Sequence, residues 1–410
     1  MRHVMYVCCF LCLVVVSCAK TESLKVGVSS AEINPSIGSF IAGDKQNRKF
    51  TGVHDSLYAK AVVISHGDSH IALVTVDCIG LMYPDVIRIR TKAAELSGFP
   101  AERIVVTSTH THAGPDVVGI WGSDMAHSGV DSVYMDFLVN TTAKQIQKAF
   151  ENRKIATGYT AETTFGDPWV KNICNEELDR SLTLLHFKDQ QQENIVTLAN
   201  FACHPTFVDA LASEVSADFI HGYYQTMKTN LGGEAMYLQG AIGGWVQPEG
   251  EPQTFENAFK RGKELADKVH RTLKQAEALP VDEITFKSKK FGLLVGNEGW
   301  KQLSAMGTIK RAISDSVHTE IDYFTIGKAK FITHPGETAP IYALESKKGM
   351  GKGPNFVLGL GNDALGYILK PAYFDDKTLP HAEYLTSMSV GKQTGPDILK
   401  HINGLIANKK

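Results

Sequence analysis

The chain has 410 residues, is 43% hydrophobic and carries a formal net charge of −2 at pH 7. That apolar content suffices for a large core, built as one elaborate domain or two intimate ones. The near-neutral balance gives no reason to assign nucleic acid as a partner, and no heptads, repeats or low-complexity runs stand out.

Arg2 and His3 precede a hydrophobic run from Val4 to Val16. It has the length of a signal-peptide core and is too short to span a bilayer comfortably. It ends Val15-Val16-Ser17-Cys18, which resembles a bacterial lipoprotein signal whose cysteine becomes the lipidated first residue. A plain secretory signal cut near Cys18 is the other reading. Residues 1–17 are thus expected to be a signal peptide and 18–24 a tether. Lipid on Cys18 then holds an exported protein to a membrane face. Processing leaves Cys18, Cys78, Cys174 and Cys203, without paired spacing, so a disulfide framework is not expected. Cys78 and Cys203 lie in apolar strands and read as small core residues.

In chain order, Leu24–Val28 reads as a first strand and Thr51–Asp55 as a loop. Ala59–Ser65 and His70–Asp77 form a hairpin about the turn His66-Gly67-Asp68-Ser69. Pro84–Leu96 has helical spacing, with Val86, Ile87, Ile89 and Ala93 or Ala94 as its inner stripe. Arg103–Thr107 is a strand. Asp131 is placed to cap a helix reaching Phe150. Leu182–Phe187 and Asn194–Phe201 form a second strand pair, running into Cys203-His204-Pro205. Helices are expected over Asp218–Asn230 and Phe255–Ala276, with a short strand at Ala235–Leu238 between them. Glu283–Phe291, Thr319–Ile326, Lys328–Thr333 and Asn355–Leu360 read as strands. One helix is expected to start near Glu337 and reach Lys347, and the last to cover Pro396–Ala407. Strands and helices alternate with several hairpins. The fold class is therefore α/β with a mixed sheet, α+β being the alternative. Residues 25–410, without a Pro/Ser-rich linker, read as one unit.

Polar groups gather where strands run out. Val105-Val106-Thr107-Ser108-Thr109-His110-Thr111-His112-Ala113-Gly114-Pro115 begins as a buried strand and ends in a His-X-His pair and a turn. In an extended chain, side chains two residues apart point the same way. The carboxyl ends of strands are where open α/β sheets bind ligands. His204 follows another strand, Glu337 a third, and Tyr367 lies beyond a fourth. Neutral imidazoles and a carboxylate are zinc ligands, and a catalytic zinc takes about three protein ligands plus water. Such an ion lowers the pKa of its water to about 7. The spacing is not HExxH, so this is not a helix-borne site. On the residues alone, hydrogen-bonded structural histidines are an equal reading.

Several ordered motifs together resemble the neutral/alkaline, non-lysosomal ceramidases in their short bacterial form. They are Gly52–Ala61, Thr107–Pro115, Asn200-Phe201-Ala202-Cys203-His204-Pro205-Thr206, Pro335-Gly336-Glu337, Asn362–Ile368 and Tyr384–Gly391. The resemblance spans roughly residues 25–408 and implies a single ceramidase-type catalytic domain, without the family's C-terminal immunoglobulin-like domain. It implies that His110, His204, Glu337 and Tyr367 hold a zinc ion. It places His112 beside the metal, to hold substrate or shuttle a proton, and Tyr384 facing the scissile group, to stabilise an oxyanion.

Two departures from that pattern stand out. The family's Gly-Asp-Val-Ser-Pro motif reads Gly243-Gly244-Trp245-Val246-Gln247-Pro248 here. Gln247 stands where the serine would be; it is no nucleophile, though its amide can donate to an oxyanion. The segment that carries an arginine in ceramidases reads Val170-Lys171-Asn172-Ile173-Cys174-Asn175. Lys171 supplies charge without the planar fork of arginine. The expected function is zinc-dependent hydrolysis of an amide, in an N-acyl lipid or another small amide or ester. The alternatives are a surface lipoprotein that binds without hydrolysing and a metal hydrolase of a non-lipid amide. Asp55, Asp77, His54, His334 and Asp116 are candidates for supporting roles near the motifs. Trp121 and Trp245 are candidates for a pocket wall or for core packing.

Overall fold

The computed structural model describes residues 22–167, 169–209, 213–250 and 252–407. The expected signal peptide and Cys18 lie outside the described residues. No described helix is long and apolar enough to cross a membrane.

The chain opens with β1 (Leu24–Glu32) and the two-residue β2 (Gly52–Val53), then the hairpin β3 (Tyr58–His66) and β4 (Ser69–Val76). Helix α1 (Tyr83–Ser97) leads to β5 (Ile104–Ser108), and α2 (Ser132–Glu151) leads to β6 (Lys154–Thr164) and β7 (Val170–Asn172). A second hairpin, β8 (Ser181–Asp189) and β9 (Asn194–Phe201), is followed by β10 (Glu214–Val215). Next come α3 (Phe219–Leu231), β11 (Glu234–Gln239), β12 (Val246–Pro248), α4 (Phe255–Leu273) and β13 (Glu277–Leu279). The C-terminal part holds β14 (Ile284–Leu294), α5 (Glu298–Ala305), β15 (Ser316–Ile326), β16 (Ala329–Thr333), β17 (Glu337–Thr338) and α6 (Pro340–Met350). It closes with β18 (Asn355–Leu358), β19 (Tyr367–Ile368), α7 (Ala372–Asp375), α8 (Ala382–Ser387) and α9 (Thr394–Ala407).

Two mixed sheets form the frame, in agreement with the α/β, mixed-sheet expectation. The larger runs β11-β9-β8-β6-β1-β3-β4-β5, with β13 added beside β6; the smaller runs β14-β15-β16-β18. Among the described residues, the ladder that joins the two halves of the large sheet consists of Lys25↔Ile155 and Val26↔Lys154. The two ends of the sheet nonetheless approach each other: Thr75 of β4, beside the edge strand β5, donates to the Tyr237 carbonyl of the opposite edge, β11. The small sheet packs on this assembly through Phe324, Phe331 and Phe356, stacked at 4.6 and 4.2 Å, against Val62, Leu73, Val105, Leu198 and Leu238. Each fully buried side chain of this size stabilises by roughly 1.5–3 kcal/mol.

Helix boundaries follow local capping. Asp131 accepts from the Val133 and Tyr134 amides at the start of α2, as expected. Asp218 caps α3 while held at φ 58°.

Three expectations are corrected. The helix expected from Glu337 starts at Pro340, because Glu337 and Thr338 pair with Tyr367 and Ile368 in a parallel two-stranded ladder. On α1 the buried stripe is Val86, Ile89, Arg90 and Ala93, not Ile87. Arg90 is inside because Glu320 at 2.6 Å and Asp322 at 3.2 Å compensate its charge. The strand β6 had no counterpart in the sequence reading, although the burial of Ala156, Gly158 and Thr160 alternates along it.

Candidate metal centre

The His-X-His turn does not stay extended. β5 ends at Ser108, and His110 takes a left-handed conformation at φ 70°. It is this turn, rather than strand alternation, that brings the His110 and His112 rings to 5.0 Å. The His204 ring, past the end of β9, lies 4.9 Å from that of His110 and 5.8 Å from that of His112. One nitrogen from each of the three falls within 4.8 Å of the others, a spacing that could hold a metal ion.

Backbone carbonyls set two of the rings. His110 Nδ1 lies 2.5 Å from the Ile79 carbonyl, and His204 Nδ1 lies 2.7 Å from that of Val246. A carbonyl only accepts, so both Nδ1 atoms carry the proton and each neutral ring offers its Nε2 lone pair inward. Outer-shell carbonyls commonly hold metal-binding imidazoles in this way. Glu337 Oε2 lies 3.1 Å from His204 Nε2 and 3.4 Å from His110 Nε2. Three acceptors this close, and buried, require a cation between them, either a proton or a metal ion. Burial alone would raise the Glu337 carboxyl, but His110 and His204 outweigh it and hold it well below the usual carboxylate range. Burial lowers His204, which favours its neutral, lone-pair form.

His112 is held differently. Its Nδ1 lies 3.0 Å from Asp209 Oδ1, and its buried Nε2 has no hydrogen-bond partner among the described residues. Burial pulls this imidazole down, and Asp209 and Glu337 more than offset it, so the net shift is upward. His112 Nε2 is thus open to an ion or to a water at the acceptor cluster. The donor set of imidazoles and a carboxylate therefore fits a metal ion.

Tyr367 is placed by β19, opposite Glu337 in the register. Burial raises its phenol well above the ordinary value, and Glu337 and Tyr384 add to the rise. Tyr384, on α8, has its ring 6.2 Å from that of Tyr367 and 5.3 Å from Trp245, with 46% of its surface exposed. Partial burial, then Glu337, Asp209 and Asp44, push its phenol up to about 12.

These groups form one end of a cavity of about 580 Å³. His110, His112, Glu337, Tyr367 and Tyr384 all line it. Its walls are mostly apolar, with Ile79, Met82, Ile120, Trp121, Trp300 and Leu303 among them and Asp44, Gln46 and Asn297 as polar exceptions.

The sequence reading placed His110, His204, Glu337, Tyr367, His112 and Tyr384 at the site, and the structure brings all six together. It adds His112 to the atoms able to reach an ion. Gln247 is the exception: it is half-buried in β12, opposite the exposed Lys171 of β7, and does not line the cavity. The stretch that carries it serves the site through its backbone instead, by way of the Val246 carbonyl. Trp121 is a cavity wall, whereas Trp245 supports Tyr384 from outside. The remaining candidates are structural. Asp116 takes three backbone amides of its own turn, Asp77 accepts from the Tyr58 amide and the Tyr224 hydroxyl, and His334 meets the hydroxyls of Thr338 and Ser346. Asp55 accepts from His54, Ser216 and the Ala217 amide beneath the His-X-His turn. Asp209, Gln239 and the cavity wall on α5 had no assignment from sequence. An aspartate five positions beyond His204 follows no metal-site spacing, and a glutamine at a strand end is an ordinary residue.

The chain's fold superposes on that of neutral ceramidase from Pseudomonas aeruginosa with a TM-score of 0.79, covering 94% of this chain and 74% of that one at 14% identity. The chain has the ceramidase fold. A ceramidase complexed with C2 gives a TM-score of 0.75 at 15% identity, covering 94% of this chain and 75% of that one. No family model and no curated protein sequence matches. The ceramidase fold thus persists here at an identity where its sequence signal has largely faded.

Proposed function

We propose that this protein is a zinc-dependent hydrolase of an amide with an apolar acyl part, an N-acyl lipid or a related small amide or ester. One observation carries the reading: His110 and Glu337, two of the three buried acceptors that gather with His204, line a largely apolar cavity. The shared ceramidase fold supports an amide as the bond cleaved.

His110, His204, Glu337 and Tyr367 would hold a zinc ion, which would supply Lewis acidity and lower the pKa of a water there. The chain's own residues supply the rest. The walls from Ile79 to Trp300 hold the alkyl part and exclude water, which strengthens polar contacts at that end of the cavity. His112, anchored through Nδ1 on Asp209, presents Nε2 to take a proton from the attacking water and return it to the leaving nitrogen. The Tyr384 phenol keeps its proton at neutral pH and donates to the oxygen that gains charge as the carbonyl is attacked. Gln247 is left out of this account. Lipid on Cys18 would hold the enzyme at the membrane, where such substrates reside, and mass analysis of the mature N-terminus tests that anchor.

The deciding experiment pairs metal analysis of the purified mature protein with hydrolysis of a homologous series of N-acyl substrates. About one zinc per chain is expected, lost in His110→Ala and His204→Ala together with hydrolysis. The specificity constant should rise about fourfold per added methylene until the cavity is filled. Full zinc and full hydrolysis in His204→Ala would sink the proposal. Metal uptake without turnover of any amide or ester would favour the binding-only reading, and a preference for short polar amides the non-lipid one.

A further inference from the structure

The two histidines that meet most closely belong to strands that are not neighbours. β5 is one edge of the large sheet, and β9 lies next to the opposite edge, β11. No ladder hydrogen bond fixes the distance between them. The Ile79 and Val246 carbonyls set how each ring is turned, but not how far apart the two backbones stand.

Gln239, the last residue of β11, bridges that gap. It is fully buried. Its Nε2 donates to the Thr109 carbonyl and to the Cys203 carbonyl, each at 2.9 Å. Thr109 and Cys203 immediately precede His110 and His204. Its Oε1 accepts from the Cys203 amide at 3.2 Å and the Gly240 amide at 3.1 Å, with the Tyr237 hydroxyl at 3.3 Å. The amide can sit only this way round: reversed, its oxygen would face two carbonyls and its NH2 two backbone N–H groups. Glutamate offers no donor at neutral pH, methionine offers none at all, and asparagine is one methylene short. Only glutamine's length and amide satisfy both histidine-bearing backbones at once.

We propose that Gln239 is a positioning residue of the metal centre, holding the His110 and His204 backbones at the separation that lets both Nε2 atoms reach one ion. Its side-chain hydrogen bonds go to Thr109, Cys203, Gly240 and Tyr237 rather than to the proposed ligand side chains, it does not line the cavity, and it acts through the two carbonyls. Without its donors those buried oxygens must find others, and the two strand ends shift to do so. This inference rests on the metal reading of the site.

The test uses the full mature chain and the variants Gln239→Asn, Gln239→Met and Gln239→Glu. Gln145→Met is the control. Gln145 is another buried glutamine, bonded to Ser29 and to the Thr141 carbonyl on α2, and it does not line the cavity. Zinc affinity is measured by chelator competition, ligand geometry by the visible spectrum of the Co2+-loaded protein, and folding by thermal melting of the metal-free chain. Among variants that melt cooperatively, the Gln239 changes should lower zinc affinity roughly 10–100-fold and alter the Co2+ spectrum, with Gln239→Asn the mildest. Gln145→Met should lower the melting temperature while leaving affinity and spectrum at wild-type values. Wild-type affinity and spectrum in a folded Gln239 variant, or an equal loss in Gln145→Met, would overturn the positioning role alone. Failure of the wild-type chain to take up zinc or Co2+ would overturn the metal reading and this inference with it.

Discussion

Glu337 and Tyr367 face each other across the parallel β17–β19 pair, so two residues far apart in sequence leave adjacent backbones side by side. The Glu337 amide donates to the Gly366 carbonyl and the Ala339 amide to that of Ile368, each at 2.9 Å, which clamps both sides of the pair. Charge and phenol are therefore delivered to the metal group as one rigid unit. Glu337→Gln keeps the shape and removes the negative charge that would face the ion. It should weaken zinc binding by more than the roughly 10–100-fold typical of losing an outer-shell partner. Tyr367→Phe should cost about that range. If chelator competition finds Tyr367→Phe as tight as wild type, His112 is the fourth ligand and Tyr367 only supports Glu337.

Gly43 is the floor beneath His112. A Cβ there would lie 2.6 Å from His112 Nδ1 and 2.7 Å from its Cγ, and the residue sits at φ 83°. Gly43→Ala must move the imidazole away from Asp209 and strain the backbone as well. The expected outcome is a fall in kcat of at least tenfold, comparable with losing a general base, and a melting temperature lowered by only a few degrees. Steady-state kinetics beside a thermal melt decides it. Unchanged kcat would remove His112 from the proton path.

Tyr384→Phe deletes one hydroxyl at the cavity and leaves the proposed zinc ligands in place. If that hydroxyl stabilises the oxyanion, kcat should drop about 10²–10³-fold with KM and zinc content near wild type. A rise in KM with kcat unchanged would make Tyr384 a substrate-binding residue instead.

Stability should fall with acid for a reason outside the site. His186 is buried in β8 beside Thr197, and burial, aided by Lys188, lowers its pKa from 6.5 to about 4. Between those values the unfolded chain binds a proton that the folded chain refuses. Stability is thus full above about 6.5 and is lost as the pH falls toward 4, by about 1.4 kcal/mol per pH unit at most. His186→Gln keeps a polar partner for Thr197 and should flatten that slope in denaturant titrations between pH 4 and 6.5. An unchanged slope would assign the acid sensitivity elsewhere.

Much of this molecule is legible in its sequence. Hydrophobic alternation and turn residues located the two hairpins, and Asp131 marked the start of α2, because these signals are local. The motifs around His110, His204, Glu337 and Tyr367 named the residues that meet, since residue type is a property of the chain. Other features depended on partners distant in sequence. Arg90 is interior only because Glu320 and Asp322 wait across the fold. Glu337 is strand rather than helix only because Tyr367 returns beside it. Gln247, named from its place in a motif, lies away from the cavity because β12 turns its backbone, not its side chain, to His204. Asp209 and Gln239 carry no spacing signal, and their roles exist only where loops and strand ends converge. The sequence by itself determined which chemistry is present. The tertiary structure decided which atoms share it, because distances between strand ends are set by buried hydrogen bonds and packing between segments that are remote along the chain.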